Sequence, residues 1–448
     1  MSVGLARLRA EPDAIRKGAI DKGEDPALVD EAMAVDARRR ELQGEADGLR
    51  AERNSVSREI GEAMKAGTKP DAPEVTDRRR RSTQIGERLS AIEGELTSLE
   101  AQVEDLLLRI PNPADPDVPI GGEEANVTVR EWGELLPREQ PLAGEVGADA
   151  KPGGPTWERK PHWELAESLE LIDLPRGAKV AGSGFPVYKG LGARLERGLI
   201  AWFMDTLSNE FGFTEVWPPV VVNEASARGT GQIPDKEDQM YVVTRDRLYL
   251  VPTAEVPVTN LHRDEILDVS DLPIRYCAYT PCFRREAGAA GKDTRGILRV
   301  HEFDKVEMVL FEKPSDSPEA LDWMTGRAEI LLQRLGLAYR VLLMSTREMG
   351  FVQAKKYDLE VWAPGVERWL EVSSCSNFHD YQARRMAIRY RPAAGAKPEL
   401  VHTLNGSALG MSRTVAAILE TYQQPDGAIT VPEVLRPYLG VDQIGPRA

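Results

Sequence analysis

The sequence predicts an α+β protein in two parts. An N-terminal antiparallel coiled-coil hairpin comes first, and a larger unit follows with a mainly antiparallel sheet flanked by helices. Three observations predict this. Heptad spacing runs through residues 28–110. A stretch rich in proline and glycine cuts that spacing in two. From Trp163 onward, strand-like and helical patterns mix to the end of the chain, with no internal repeat.

The hairpin is clearest in its second half. Ile85, Leu89, Ile92, Leu96, Leu99, Val103, Leu106 and Ile110 alternate steps of four and three, the seam of a coiled coil. In the first half Val35, Leu42, Leu49, Val56 and Ala63 recur every seven residues. The alternate row there is Arg39, Ala46, Arg53 and Ile60, half of it charged. Between the halves, Ala66 to Pro73 holds Gly67, Pro70 and Pro73, a turn that no helix crosses. An arm of some 35 residues reaches ~50 Å at ~1.5 Å per residue. Such a hairpin reads equally as a dimerisation rod or as a long-reach binding arm. The basic run Arg78, Arg79, Arg80 and Arg81 near its tip is by itself a solvated face, and the arm's acidic residues more than balance it.

Bulk properties exclude several classes. At 448 residues, two or three units are expected. No apolar run is long enough to span a membrane, and Met1 to Ile20 lacks the apolar core of a secretory signal. Three cysteines and five histidines, with no CxxC, make neither a disulfide framework nor a structural zinc site. A reducing cytoplasm is the expected compartment. The net charge of −15 argues against a non-specific nucleic-acid coat, though not against a local basic surface.

Domains are expected at 1–110, at 111–161 as a linker containing an inserted loop from Leu135 to Thr156, and at 162–448. Strands are expected at Glu215–Val222, Leu248–Val251, Ile274–Arg284, Arg299–Phe311, Tyr357–Trp362 and Trp369–Ser373. Helices are expected at Leu191–Asn209 and Ser407–Tyr422.

No GxxxxGK[ST] and no strand-associated GxGxxG occurs, so other groups must hold any nucleotide. Four clusters qualify. Thr253-Ala254-Glu255 offers a hydroxyl and a carboxylate for a small ammonium compound, or simply a helix start with Thr253 as cap. Strand alternation puts Arg299, His301, Phe303, Lys305 and Glu307 on one face. That set suits a phosphate, a base and an amine, or an exposed salt-bridge ladder. Glu371-Val372-Ser373-Ser374 offers an oxygen ligand for Mg²⁺, or a solvated glutamate. Asn405-Gly406-Ser407, with Ser407 read as a helix cap, leads to Arg413, a surface residue or a polyphosphate ligand.

The order of these clusters is more specific than any one of them. TAE, FRREAG, RVHEFDKVEM, EVSSCSNFHDYQARR, LNGSALGMSRT and VPEVLRPYL resemble the catalytic series of the seryl-tRNA synthetases, the type-1 serine family of class II aminoacyl-tRNA synthetases. The hairpin is similar to that family's tRNA-binding arm. Leu191 to Val222, with Pro218-Pro219, is similar to the class II motif that forms the homodimer interface. The resemblance implies activation of L-serine with ATP and transfer to the 3′ end of tRNA(Ser), and of tRNA(Sec) where present. It implies Mg²⁺ with ATP and no structural zinc. Arg284 would hold the α-phosphate, Arg413 the terminal phosphate, and Glu371 and Ser374 the Mg²⁺. Phe303 would stack on adenine, and Glu286 would meet its edge near the Val300 backbone. Arg285, Val372 and Ser373 would complete the ATP site. Thr253, Ala254, Glu255, Glu307, Asn405 and Ser407 would define the serine site, with Arg299 toward its carboxylate. The four tip arginines would contact tRNA.

Two departures stand out: Ser412 where the family pattern has glycine, and the Leu135–Thr156 insertion. They leave open a paralogue that charges another acceptor or confers inhibitor resistance. A silent RNA-binding scaffold is the reading from a different class. Serine-dependent ATP–pyrophosphate exchange separates the scaffold from the enzymes, and tRNA charging separates the enzymes from each other.

Overall fold

The structure, a computed structural model, describes residues 3–141, 156–287 and 295–445. It divides into two compact units, at 1–111 and 112–448. Most of the inserted loop expected at Leu135 to Thr156 lies outside the described residues, as does the centre of the loop after Ala287. The described ends of the insertion, Glu139–Pro141 and Thr156–Glu158, pair as a short antiparallel ladder.

The first unit is built on α1 (Ala27–Lys65) and α2 (Pro73–Arg109). Gly67 turns the chain at φ +85°, and Pro73 opens α2, where its missing N–H is no loss. Leu42, Ala46, Ile85, Leu89, Ile92 and Leu96 bury one another along the seam. At the base, Val29, Ala32, Val103, Leu106 and Ile110 pack with Leu8 and Ile15 from two short helices. Toward the turn, Val56, Ile60 and Ala63 are only half-buried. Cross-helix ion pairs continue the contact there: Glu52 with Arg81 at 2.7 Å and Glu59 with Arg78 at 3.1 Å. Glu45 with Arg88 at 2.8 Å and Arg38 with Glu95 at 3.0 Å do the same nearer the base. Exposed pairs of this kind contribute ~0–1 kcal/mol each, so they fix register more than stability.

The second unit is built on β1 (Val127–Trp132), β2 (Thr214–Glu215), β3 (Ile274–Phe283), β4 (Glu302–Glu312), β5 (Tyr339–Leu343), β6 (Lys355–Ala363), β7 (Arg368–Asn377) and β8 (His402–Gly410). They form one sheet in the order β1-β5-β6-β7-β8-β4-β3-β2. Every pair is antiparallel except β2 with β3. The helices packed on it include α3 (Leu191–Asn209), α4 (Glu255–Thr259), α5 (Ser317–Arg334) and α6 (Met411–Tyr422).

Alternation along β4 decides where the site forms. Val306, Met308 and Leu310 enter the large core beneath α3, α5 and α6. Val309 and Phe311 point the other way, into a smaller core with Ala254 and Val258 of the α4 segment. Phe303, Lys305 and Glu307 share that second face but lie beyond its apolar part. There the sheet borders a cavity instead of a core.

Three expectations are corrected. Residues 111–161 are not simply a linker, because Val127–Trp132 is the edge strand β1. Asn112 Nδ2 also donates to the Val352 and Phe378 carbonyls at 3.1 and 2.9 Å. The prolines there mark turns between bonded segments. The strand expected over Glu215–Val222 is broken into Thr214–Glu215 and Val221–Asn223, which join different sheets. Pro218 and Pro219 between them have no N–H to give to a ladder. Ser407 is not a helix cap: it lies inside β8, paired with Glu307, and the helix begins at Met411. Leu404 and Ala408 hold this segment in the core of the sheet, which overrides the cap-like sequence.

Candidate active site

The cavity measures about 720 Å³, a volume suited to a nucleotide and a small partner together. Its floor is the second face of β4, β7 and β8. Its walls come from the Thr253–Glu255 turn, the segment 284–287, residues 298–300 and the N-terminal end of α6.

At one end four groups interlock. Lys305 Nζ donates to Thr253 Oγ1 at 2.8 Å and pairs with Glu307 Oε2. Thr253 Oγ1 lies 3.3 Å from Glu307 Oε2 and accepts the Glu255 N–H at 3.3 Å. Thr253 is not the helix cap, because Ala254 occupies that position with no side-chain capping bond; its hydroxyl faces the cavity. Glu307 is 1% exposed and Glu255 7%. Glu255 Oε1 accepts from Gln382 Nε2 at 2.6 Å, and the Thr403 hydroxyl donates to Gln382 Oε1 at 2.7 Å. This chain of donors fixes which end of the Gln382 amide faces Glu255. Asn405 and Ser407 of β8 line the same end.

At the other end the guanidinium of Arg284 lies 5.1 Å from the Phe303 ring centroid. Its Nε donates to the Pro252 carbonyl at 3.3 Å. Arg413 Nε donates to the Leu298 carbonyl at 3.1 Å, and its NH1 to the Glu371 carbonyl at 2.9 Å. NH1 also sits 3.6 Å from Glu371 Oε2. Burial alone would raise the Glu371 carboxyl, but Lys356, Arg413 and Arg284 outweigh it and hold Glu371 below its ordinary range. Lys356 Nζ is itself paired with Asp358 at 2.9 Å.

Glu371 and Ser374 reach the same cavity through a β-bulge. Simple alternation would put residues three apart on opposite faces. The β6–β7 register slips between Leu359 opposite Ser373 and Glu360 opposite Glu371, so Val372 is the extra residue. Parity then reverses, and Glu371 returns to the face of Ser374.

Arg299 lines the cavity, but its NH1 bonds Glu286 Oε2 at 2.5 Å, so the two expected ligand groups hold each other. Glu286 has φ +50°, an uncommon conformation for a residue with a side chain. Val300, Val372 and Ser373 also border the cavity.

Other expected residues lie elsewhere. Ala254 faces the small apolar core. Arg285 donates to the Asp238 carbonyl at 3.1 Å, outside the cavity lining. His301 precedes β4 and stacks on Phe185 with centroids 5.4 Å apart, so alternation does not place it beside Phe303. The four tip arginines belong to the first unit, and each has a partner: Glu59, the Pro70 carbonyl, Asp77 and Glu52 for Arg78 to Arg81 in turn.

Gln382, Lys356 and Asp358 line or support the cavity without having been singled out. Lys356 and Asp358 alternate about Tyr357 in a strand, a signal available in the sequence. Gln382 carried none. Among the described residues no three His, Cys, Asp or Glu side chains gather as a metal-ligand set, and no helix is long and apolar enough to cross a membrane.

A sheet of this topology, with paired cations and carboxylates over one face, defines a class II aminoacyl-tRNA synthetase. Residues 241–422 match the tRNA synthetase class II core domain (G, H, P, S and T). A prolyl-tRNA synthetase of Giardia lamblia shares the fold at 16% identity and a TM-score of 0.54 over 62% of this chain and 57% of that one. Residues 4–114 match the seryl-tRNA synthetase N-terminal domain. Serine–tRNA ligases of Gemmatimonas aurantiaca and Thermomicrobium roseum are 49% and 50% identical. The alignments cover 97% of this chain and 97% of the first, and 98% of this chain and 94% of the second. The seryl-tRNA synthetase of Pyrococcus horikoshii complexed with ATP superposes with a TM-score of 0.91 at 38% identity, covering 100% of both chains. The chain belongs to the seryl-tRNA synthetase family, and its activity is that of a serine–tRNA ligase.

Glu255 yields a pH prediction. Burial, then the charge of Glu307, pushes its carboxyl up to about 7, against the Gln382 bond. Unfolded, it titrates near ~4.3. Between those values the folded chain keeps a proton that the unfolded chain has lost, so stability falls as pH rises through that window. Glu255→Gln should therefore raise stability at pH 8 by roughly 3–4 kcal/mol, with the gain shrinking toward pH 5. Urea unfolding at both pH values checks this, and an equal difference at both would refute it.

Proposed function

We propose that the cavity holds L-serine and ATP side by side and joins them as seryl-adenylate before serine passes to the 3′ end of tRNA(Ser), and of tRNA(Sec) in a cell that has it. The observation that supports this is the gathering of two opposite chemistries on one sheet face. Thr253, Glu255 and Glu307 suit an ammonium group, while Arg284 and Arg413 suit phosphates.

The serine ammonium meets Glu307 and Glu255, where Lys305 already marks a cation position. Ser407 and Asn405 offer partners for the hydroxyl. Arg299 takes the serine carboxylate once it parts from Glu286, which is then free to meet the adenine edge. Phe303 stacks on the base, and Arg284 holds the α-phosphate. The serine carboxylate attacks the α-phosphorus in line, and pyrophosphate leaves toward Arg413. No side chain acts as nucleophile. Positioning and stabilisation of the developing charge carry the reaction. Mg²⁺ fits the donor set at this end, an ionised Glu371 carboxylate beside the Ser374 hydroxyl with room for phosphate oxygens. When bound it would neutralise phosphate charge.

The hairpin is proposed to hold the tRNA, with Arg78 to Arg81 exchanging their acidic partners for phosphates. The enzyme is proposed to be a homodimer. α3 buries its apolar side in its own core, yet Trp217 is 76% exposed and Val220 37% beside the Pro218-Pro219 break. A two-fold interface would cover that patch. The cytoplasm is the proposed compartment, where cell fractionation should find the enzyme. All three cysteines are buried free thiols, as a reducing environment keeps them.

Three outcomes follow. Glu307→Gln should lose roughly 10²-fold or more in serine-dependent ATP–pyrophosphate exchange, and chelating Mg²⁺ should abolish exchange in the parent. Near-normal rates in either case would remove the corresponding assignment. Replacing Asp36 to Leu106 by a short linker should leave exchange largely intact and abolish tRNA charging. Charging at the parental rate would make the hairpin a structural rod. Light scattering should report two 49.6 kDa chains per particle, with Trp217→Lys shifting it toward one. A monomer at micromolar concentration would overturn the dimer.

A further inference from the structure

Outside the cavity, one fully buried pair is tied to its wall. His162 and Glu420 are both essentially unexposed. Glu420 lies near the C-terminal end of α6, seven residues beyond Arg413. Its carboxylate is saturated with donors. Oε1 accepts the His162 N–H at 2.9 Å and lies 2.8 Å from His162 Nδ1. Oε2 accepts the Gly365 and Val366 N–H groups at 2.9 and 3.1 Å. With three backbone donors around it, Glu420 has no need of a proton, so Nδ1 carries the hydrogen and donates. The other ring nitrogen is left with a lone pair. It faces the Ile297 N–H, which donates to His162 Nε2 at 3.4 Å.

Ile297 is next to Leu298, whose carbonyl accepts Arg413 Nε at 3.1 Å. Two consecutive backbone groups are thus fastened to one helix at two points. The Leu298 C=O meets Arg413 directly, and the Ile297 N–H meets Glu420 through the imidazole. Seven residues of helix separate the two points by ~10 Å. The next residues, Arg299 and Val300, line the cavity. The residue before, Gly296, has φ +71°, and a Cβ there would lie 2.2 Å from His162 Nε2. The backbone is pressed against the ring edge, with no room for a side chain.

We propose that His162, locked in one tautomer by Glu420, is a positioning residue for the active site: it holds the segment carrying Arg299 and Val300 in register with the helix carrying Arg413. It touches no substrate. The inference rests on the proposed placing of ATP between Arg284 and Arg413.

Two variants separate positioning from folding. His162→Asn keeps a donor where Nδ1 stood, so Glu420 stays satisfied, but the shorter side chain does not reach Ile297. His162→Phe keeps the ring and removes both contacts. In the intact enzyme, serine-dependent exchange in both variants should show a KM for ATP raised on the order of 10-fold, the scale of a small misplacement in a preorganised site. The KM for serine should rise as well, because Arg299 of the same segment meets the serine carboxylate, while Thr253 and Glu307 keep their own bonds. Hydrogen–deuterium exchange of peptides covering 295–300 should quicken in both, while His162→Asn keeps a melting temperature near that of the parent. Unchanged ATP KM and unchanged amide exchange in both variants would overturn the proposal. So would a lowered melting temperature alone, since that marks a structural role only. Arg413→Ala is the control for the underlying reading. If it is impaired while the His162 variants are normal, only this inference fails. If Arg413→Ala binds ATP normally, the ATP placing itself is wrong.

Discussion

Most charges around the cavity, Arg284 and Glu255 apart, are matched by opposite charges within bonding reach, and much of the second unit is arranged to permit that matching. Lys305 with Glu307, Lys356 with Asp358, Arg299 with Glu286 and Arg413 with Glu371 form the set. The first two pairs are largely buried, where an unpaired charge would be costly, while the other two keep part of their surface in solvent. Pairing keeps the site open and ionised without a ligand. It also means that a ligand does not meet naked charges. It enters by joining or replacing partners already present, so much of the desolvation is completed before binding.

The same requirement explains why one strand serves two purposes. β4 is apolar on both faces from Met308 to Phe311, where cores lie above and below it, and charged before that, with Lys305 and Glu307 on the cavity face. That switch was legible from alternation through Phe303, Lys305 and Glu307. It failed at His301, because the strand starts one residue later and backbone ahead of it follows no period. The hairpin was legible throughout, since heptads and a Gly-Pro break are local signals. Ser407 misled because Asn-Gly-Ser is cap-like by composition, yet strands on both sides claim the backbone. The edge strand β1 was hidden because a short strand between prolines reads as linker. Gln382 left no trace in the sequence, since its importance lies in a bond to a residue over a hundred positions away.

The site also carries some of the chain's uncommon backbone conformations. Glu286 sits at φ +50° and Leu409, two residues before α6 begins at Met411, at φ +69°. Glu255 is buried against a second carboxylate. Each is a local loss of stability that neighbouring structure must offset. The large apolar core beneath the sheet, with Leu199, Phe203, Leu331 and Ile418 fully or almost fully buried, supplies the offset. The hairpin carries no comparable discomfort, and its exposed ion pairs contribute little beyond alignment.

The bulge at Val372 has a meaning of a different kind. A bulge is a matter of chain length, not of residue type, so no single-residue substitution creates or removes it. The facing of Glu371 beside Ser374 is therefore insulated from ordinary mutational drift. Val372 is buried in the large core, so exchanging its side chain changes packing, yet parity survives. Loss of one codon there would turn Glu371 to the opposite side of the sheet, leaving every neighbouring residue unchanged in name. A lineage that carries this strand can vary the residues that neither pack in the core nor face the cavity, but it can change its count only by abandoning the site.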